Sequence, residues 1–287
     1  MKIRFWGTRG SIPSPGPSTI RYGGNTSCVQ VTLDDGTLIV LDAGSGIRPL
    51  GKSLGAAQGT LLLTHYHWDH IQGFPFFDSV YIPGSDFRVF GPEFNGAGPR
   101  EYLSDQMIAP YFPATMSQMT ALSGFDVMPH TPLMLGSATV TATRVSHPSV
   151  TLGYRIEADD TVLVYISDNE VDVAPHDMLS DIIELASGAD ILIHDCQYTE
   201  SEYAGKHGWG HSTPRQAARM ARQAGVRELV LFHHDPTHND EQVEALAEEA
   251  SRLAARSVDI SIAREGEVID LSATDNEVVA ADIRAEG

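Results

Sequence analysis

The chain has 287 residues, 42% of them hydrophobic, which is enough for one large domain with a substantial core, and we expect residues 1–287 to form a single unit. With 38 acidic against 19 basic side chains the net charge is −19, a field that repels extended nucleic acid but admits a small anion drawn to a bound divalent ion. No apolar run reaches membrane-spanning length, "MKIRFWGTRGSIPSPGP" lacks a leader-like core, and the two cysteines, Cys28 and Cys196, cannot build a disulfide framework; the expectation is a cytoplasmic protein with no membrane partner.

In chain order, strands are predicted at "KIRFW", "TSCVQVTL", "TLIVLD" and "TLLLT". Between the first two, "YGGNTSC" reads as a tight turn, with Gly23 and Gly24 for its backbone and Asn25 bonding a ligand or its own main chain. Tyr66, Trp68, Phe74, Phe76 and Phe77 read as core aromatics, with the alternative that one stacks on a base. The stretch 83–132, rich in Gly, Pro, Met and aromatic residues, holds the strand "FRVFG" and a short helix near "REYLSDQMI", and reads as an insertion that walls a pocket. Further strands follow at "ATVTATRVS", "TLGYRIEA", "TVLVYIS", "ADILIH", "ELVLFH" and "VDISIA". Helices are expected late. "TPRQAARMARQAG" has Thr213 as its cap, Pro214 in first position and Gly225 as its stop, and "NDEQVEALAEEASRLAA" places Val243, Leu246, Ala247, Ala250 and Leu253 on one face. An early meander followed by alternating strands and helices predicts an α/β fold with packed sheets inside and helices outside. The acidic tail "EGEVIDLSATDNEVVAADIRAEG" reads as solvated surface.

The six residues "HYHWDH" contain His65, His67, Asp69 and His70, a density that folding alone does not require. Imidazole nitrogen and carboxylate oxygen are ligands for zinc and its first-row neighbours, and a hydrolytic site needs them converging with a coordination position left open. Comparable groups close later apolar strands: His147 after "TATRV", Asp168 after "TVLVYIS", and His233 and His234 after "ELVLF". Each alone reads better as a loop or capping residue, but together with the first cluster they read as a metal centre.

The pattern resembles the metallo-β-lactamase fold superfamily, whose signature is His-x-His-x-Asp-His, over nearly the whole chain. The resemblance implies a four-layer αββα sandwich and two divalent ions, zinc first and manganese second. It implies that His65, His67 and His147 hold one ion and Asp69, His70 and His233 the other, with Asp168 bridging and Asp42 supporting the site without binding metal. "GWGHSTPRQAA" is similar to the His-Ser-Thr element of the tRNA 3′-end nucleases (RNase Z) and related small phosphodiesterases, which casts His211 as the group assisting the leaving oxygen; Asp69 would also hold or deprotonate the attacking water. His194 and Asp195, like His234 and His238, are expected to steady site residues from behind, the last two with pocket lining as an alternative.

Two features separate the chain from the tRNA nuclease. His147 and Asp168 are only 21 positions apart, filled by two strands and a turn at Asp159 and Asp160, which leaves no space for a tRNA-gripping arm. "SDN" also stands where that enzyme carries Gly-Asp-Thr. The resemblance therefore implies a hydrolase of small phosphodiesters such as cyclic nucleotides, using metal-bound hydroxide, and a homodimer. The competing expectations are an RNase Z-like RNA 3′-end endonuclease, a lactone, thioester or β-lactam hydrolase on the same fold, and a non-catalytic nucleic-acid-binding relative.

Overall fold

In the computed structural model, strands β1 (Lys2–Gly7), β2 (Cys28–Thr32), β3 (Leu38–Leu41), β4 (Gln58–Leu62), β5 (Asp86–Gly91) and β6 (Leu122–Val127) come first. Then follow β7 (Leu133–Leu135), β8 (Ala138–Val145), β9 (Thr151–Ala158), β10 (Thr161–Ile166), β11 (Ile191–Asp195), β12 (Glu228–Phe232), β13 (Asp259–Ile262) and β14 (Val268–Asp270). The structure describes residues 1–255 and 257–271; of the segment read as a solvated acidic tail, residues 265–271 instead supply β14 to the first sheet, and the remainder from 272 onward lies outside the described residues.

The strands make two seven-stranded sheets, ordered β14-β1-β2-β3-β4-β5-β6 and β13-β12-β11-β10-β9-β8-β7. In each sheet one half is antiparallel and the other parallel: β3 to β6 run parallel in the first, β10 to β13 in the second. The sheets face each other across one apolar layer in which Ile3, Phe5, Val31 and Leu41 of the first meet Tyr154, Ile156, Ile193 and Phe232 of the second. Burying each such side chain stabilises the fold by about 1.5–3 kcal/mol. β3 and β11 are buried on both faces, as a central strand between two apolar layers must be, which is why β3 reads as an unbroken hydrophobic run and β11 as Ile-Leu-Ile before its closing His194 and Asp195.

Helices α1 (Ile47–Leu54), α2 (Trp68–Ile71) and α3 (Pro99–Asp105) precede α4 (His176–Ala186), α5 (Glu200–Tyr203), α6 (Pro214–Ala224) and α7 (Asp240–Ala254). Ile47 and Leu50 of α1, with Phe74, Phe77 and Leu103, cover the outer face of the first sheet; Ile182, Met220, Ala221, Leu246 and Ala250 cover that of the second. The result is the expected αββα order of layers. Among the described residues no helix is long and apolar enough to cross a membrane.

Several expectations are corrected. Helices are not confined to the later chain: α1 forms despite its Pro and Gly because Ile47, Leu50 and Gly51 bury against the sheet, and α4 forms through Ile182, Leu185 and Ala186. Stretch 83–132 supplies β5 and β6 to the first sheet, so only the chain between those strands stands beside the site. Leu253, in the last turn of α7, is 37% exposed, while the other four apolar residues of that face are buried. Trp68 and Phe76 are exposed, at 79% and 49%; only Phe74 and Phe77 of the five aromatics are fully buried.

The start of α6 follows the sequence closely: the Thr213 hydroxyl accepts from Gln216 N–H, Pro214 occupies the first turn, and Gly225 closes the helix in the left-handed region at φ 65°. Thr213→Ala is expected to lower stability by about 1 kcal/mol in urea unfolding, the usual cost of an emptied N-cap. An unchanged midpoint would refute that role.

Candidate metal centre

The end of β4 carries the dense cluster. The chain leaves the strand through Thr64 and His65, stays extended at His67 (φ −63°, ψ 149°), and enters α2, which bears Asp69 and His70. This bend gives the segment two groups of side chains. Across the interface of the two sheets, the ends of β8, β10 and β12 bring His147, Asp168 and His233 to the same place.

The ligand atoms of His65, His67 and His147 lie within 4.8 Å of one another, as do those of Asp69, His70 and His233, and those of His65, His70 and Asp168. His67 Nδ1 is 3.1 Å from His147 Nε2, and His70 Nε2 is 3.2 Å from His233 Nε2. Asp69 Oδ2 is 3.1 Å from His233 Nε2 and 3.3 Å from His70 Nε2. Ligands about 2.0–2.1 Å from a tetrahedral ion sit roughly 3.3 Å from one another, so these spacings are those of ligand pairs. The buried atoms His65 Nε2 and Asp168 Oδ1 have no hydrogen-bond partner, a costly state unless a cation satisfies their lone pairs. The residues therefore fit divalent ions in two adjoining sets. His67 alone of the histidines in these sets is exposed, and it marks the mouth.

Electrostatics agrees with this geometry. Asp168 is buried, which favours its neutral form, but the facing His233, His70 and His65 outweigh burial and hold its carboxyl well below the usual range. His70 is raised well above the ordinary histidine value: burial opposes the shift, and Asp168, Asp69 and Asp42 overcome it. Burial pulls His147 down to about 4 against the opposing charge of Asp168, leaving the neutral ring that serves as a ligand. The buried carboxylates thus require positive charge at this point, whether as protons on His70 and His233 or as metal.

Four of the five histidines of the two sets are oriented through their other nitrogen. His70 Nδ1–H donates to Asp42 Oδ2 (2.9 Å), His147 Nδ1–H to Gly210 O (3.0 Å) and His233 Nδ1–H to Gln197 Oε1 (2.9 Å), while His65 Nδ1 meets Thr64 Oγ1 at 3.0 Å. Asp42 belongs to none of these sets; it accepts from Thr64 N–H, the Thr64 hydroxyl and the Tyr165 hydroxyl as well. Ser11 N–H donates to Asp69 Oδ2 at 2.7 Å. Glu170 accepts from the Tyr203 hydroxyl, Gly208 N–H and Gly210 N–H, which fixes the loop behind His147. That loop passes close: at Gly210 (φ 90°) a Cβ would stand 2.0 Å from His147 Nδ1, so only glycine fits.

His211 lies between the sets. Its ring stacks on His233 at 5.0 Å between centroids, and its Nδ1 is 3.4 Å from Asp195 Oδ2 and 3.9 Å from Asp168 Oδ2. Asp195 accepts from Ser212 N–H and Asn169 N–H, and burial, with Asp168 adding to it against His194, pushes its carboxyl up to about 7. Asp195 therefore stands behind His211, as expected of a supporting residue, whereas His194 bonds Asn169 and its neighbour's carbonyl.

Other expectations change. His234 Nε2 donates to Ala263 O and His238 Nε2 meets Glu202 Oε1, so neither holds His233; that task falls to Gln197. The Asn25 side chain joins Glu265 to Ser45 and is neither a turn bond to its own backbone nor part of the centre. Gln197, Ser11 and Glu170 gave no signal in the sequence, because each meets the centre only through strand order or a loop crossing.

Residues 37–234 match the family profile described as the Beta-lactamase superfamily domain. The chain belongs to the β-lactamase superfamily. Among curated members it is 27% identical over 292 residues to a ribonuclease Z of Thermoplasma acidophilum, covering 85% of this chain and 89% of that one. It is 27% identical over 252 residues to the probable metallo-hydrolase YhfI of Bacillus subtilis, covering 85% and 92%. The crystal structure of YhfI superposes with a TM-score of 0.69 at 22% identity, over 94% of this chain and 99% of that one. A diphosphatase from the PhnP family superposes at 0.68 and 18% identity, over 94% and 97%. These structures share the metallo-β-lactamase fold, and in this superfamily member the candidate ligands lie where strands of both sheets end.

Proposed function

We propose that this chain is a dinuclear metal-dependent phosphodiesterase of small phosphodiesters, with zinc the first candidate ion and manganese the second. The observation that carries the reading is the position of Asp168. Its Oδ1 is 3.2 Å from His70 Nε2 and 3.5 Å from His233 Nε2, and its Oδ2 is 3.8 Å from His65 Nε2 and 3.9 Å from His147 Nε2. One carboxylate thus offers an oxygen to each half of the centre. Bound divalent ions supply a lowered pKa for water and neutralise the charge that develops on phosphoryl oxygens.

The chain's own side chains do the rest. Asp69, held by Ser11 N–H, is placed to hold the attacking water or take its proton. His211, pulled down to about 4 by burial against the opposing charge of Asp168, presents a neutral ring that donates a hydrogen bond toward the departing oxygen. A small substrate is supported by the β9–β10 hairpin, whose turn at Asp159 and Asp160 carries no inserted arm, and by the charge of −19. The names of two relatives, a ribonuclease and a diphosphatase, are both those of enzymes that break bonds to phosphorus. The ribonuclease Z likeness also supports a second reading, an RNA 3′-end endonuclease.

The test is hydrolysis of bis(p-nitrophenyl) phosphate and a panel of 3′,5′-cyclic nucleotides by protein loaded separately with zinc and manganese. Silence on every diester by protein that holds two metal equivalents would overturn the proposal in favour of carbon esters or an RNA end. His211→Ala is expected to keep its metal while kcat falls about 10²–10⁴-fold; unchanged turnover would remove His211 from the mechanism. Light scattering tests the homodimer implied by the resemblance.

A further inference from the structure

Beside the centre, between α2, the turn Phe74–Phe76, α3 and the segment 106–112, lies a cavity of about 660 Å³. Six aromatic side chains form most of its wall: Tyr66, Trp68, Phe76, Tyr102, Tyr111 and Phe112. Tyr66 stacks on Tyr102 at 4.4 Å and 23°, and the Tyr66 hydroxyl is committed to Pro92 O, which fixes one side. Phe76 meets Phe112 edge-on at 5.6 Å and 84°, which fixes another. Trp68 and Tyr111 are 79% and 82% exposed, and among the described residues no other ring covers either. Trp68 lies in the chain between His67 and Asp69, and Tyr66 between His65 and His67, so one wall of the cavity and one side of the centre are built from the same segment.

We infer that this cavity is a stacking subsite for a planar aromatic ring, a nucleobase or aryl arm, carried by the diester whose phosphate sits at the metal centre. The inference rests on the phosphodiesterase reading above. The volume is that of a small-molecule site. No lysine or arginine lines it and Asp105 does, so the anionic part of a substrate belongs at the metals and the ring part here. Open aromatic faces reward a flat ring more than an aliphatic arm, because stacking adds to burial.

Two diesters with the same leaving group, bis(p-nitrophenyl) phosphate and methyl p-nitrophenyl phosphate, differ only in the arm that stays. Comparing variant with wild type cancels their intrinsic difference in reactivity. Trp68→Ala and Tyr111→Ala are expected to lower the preference for the aryl arm about ten-fold, through KM. Both side chains are exposed, so an unchanged circular dichroism spectrum is expected and checks folding. Independently of turnover, adenosine should show saturation transfer to its base protons with wild-type protein and lose it with Trp68→Ala. Hydrolysis with an unaltered aryl preference and no adenosine transfer overturns the subsite alone. Adenosine binding without hydrolysis of either diester overturns the proposed reaction and leaves the ring site standing. A dimer that Trp68→Ala converts to monomer, with no loss of ring preference, would assign this face to contact between copies and sink the inference.

Discussion

Asp168→Ala is expected to lose metal and hydrolysis together, with activity falling more than about a hundred-fold, since loss of an outer partner of a ligand already costs 10–100-fold. The reason is geometric. Asp168 is 1% exposed, and its two oxygens face different histidine sets, His70 and His233 on one side and His65 and His147 on the other. Removing it takes the shared candidate ligand from both halves and leaves the five histidines of the two sets with a single carboxylate among them, Asp69. Metal content of the purified variant, measured alongside turnover, decides the matter. Two full equivalents of metal in Asp168→Ala would show that the carboxylate does not join the two sets.

Asp42→Ala should produce the largest loss of stability, about 3–5 kcal/mol in urea unfolding of chelator-treated protein. Asp42 is fully buried and takes hydrogen bonds from Thr64 N–H, the Thr64 hydroxyl, the Tyr165 hydroxyl and His70 Nδ1–H. Alanine leaves all of these donors without an acceptor in the apolar space between the sheets, and each such group retains its desolvation penalty. Working with the chelated protein separates this effect from lost metal affinity. A change below about 1 kcal/mol would mean that water or a shifted side chain replaces the carboxylate.

The sequence made the chemistry of the centre more legible than its supports. His65, His67, Asp69 and His70 stand out because nothing in packing requires them, and His147, Asp168 and His233 because each ends an apolar strand. Gln197 could not be found that way. It holds His233 only because β11 lies beside β12 in the sheet, and that adjacency is a property of strand order, not of any local pattern. Ser11 acts through its backbone N–H, for which side-chain type is silent. The same contrast runs through the fold. β3 and β11 announce themselves by burial on two faces, whereas β7 and β14, three residues each, exist by pairing at a sheet edge. Propensity disfavours a helix at "IRPLGKSL", and tertiary burial of Ile47 and Leu50 in α1 prevails over it. Trp68 and Phe76 looked like core because aromatic residues usually are; their exposure is information that only the structure holds.

The candidate ligands come from the ends of β4 in one sheet and β8, β10 and β12 in the other, across 168 positions from His65 to His233. During synthesis, therefore, the candidate sets appear in sequence: the residues of the first are all present once His147 has emerged, and the second waits until His233, just after β12, has left the ribosome and docked. Assembly of the candidate centre is thus tied to the end of folding, and an unfinished or half-docked chain lacks at least one of its walls.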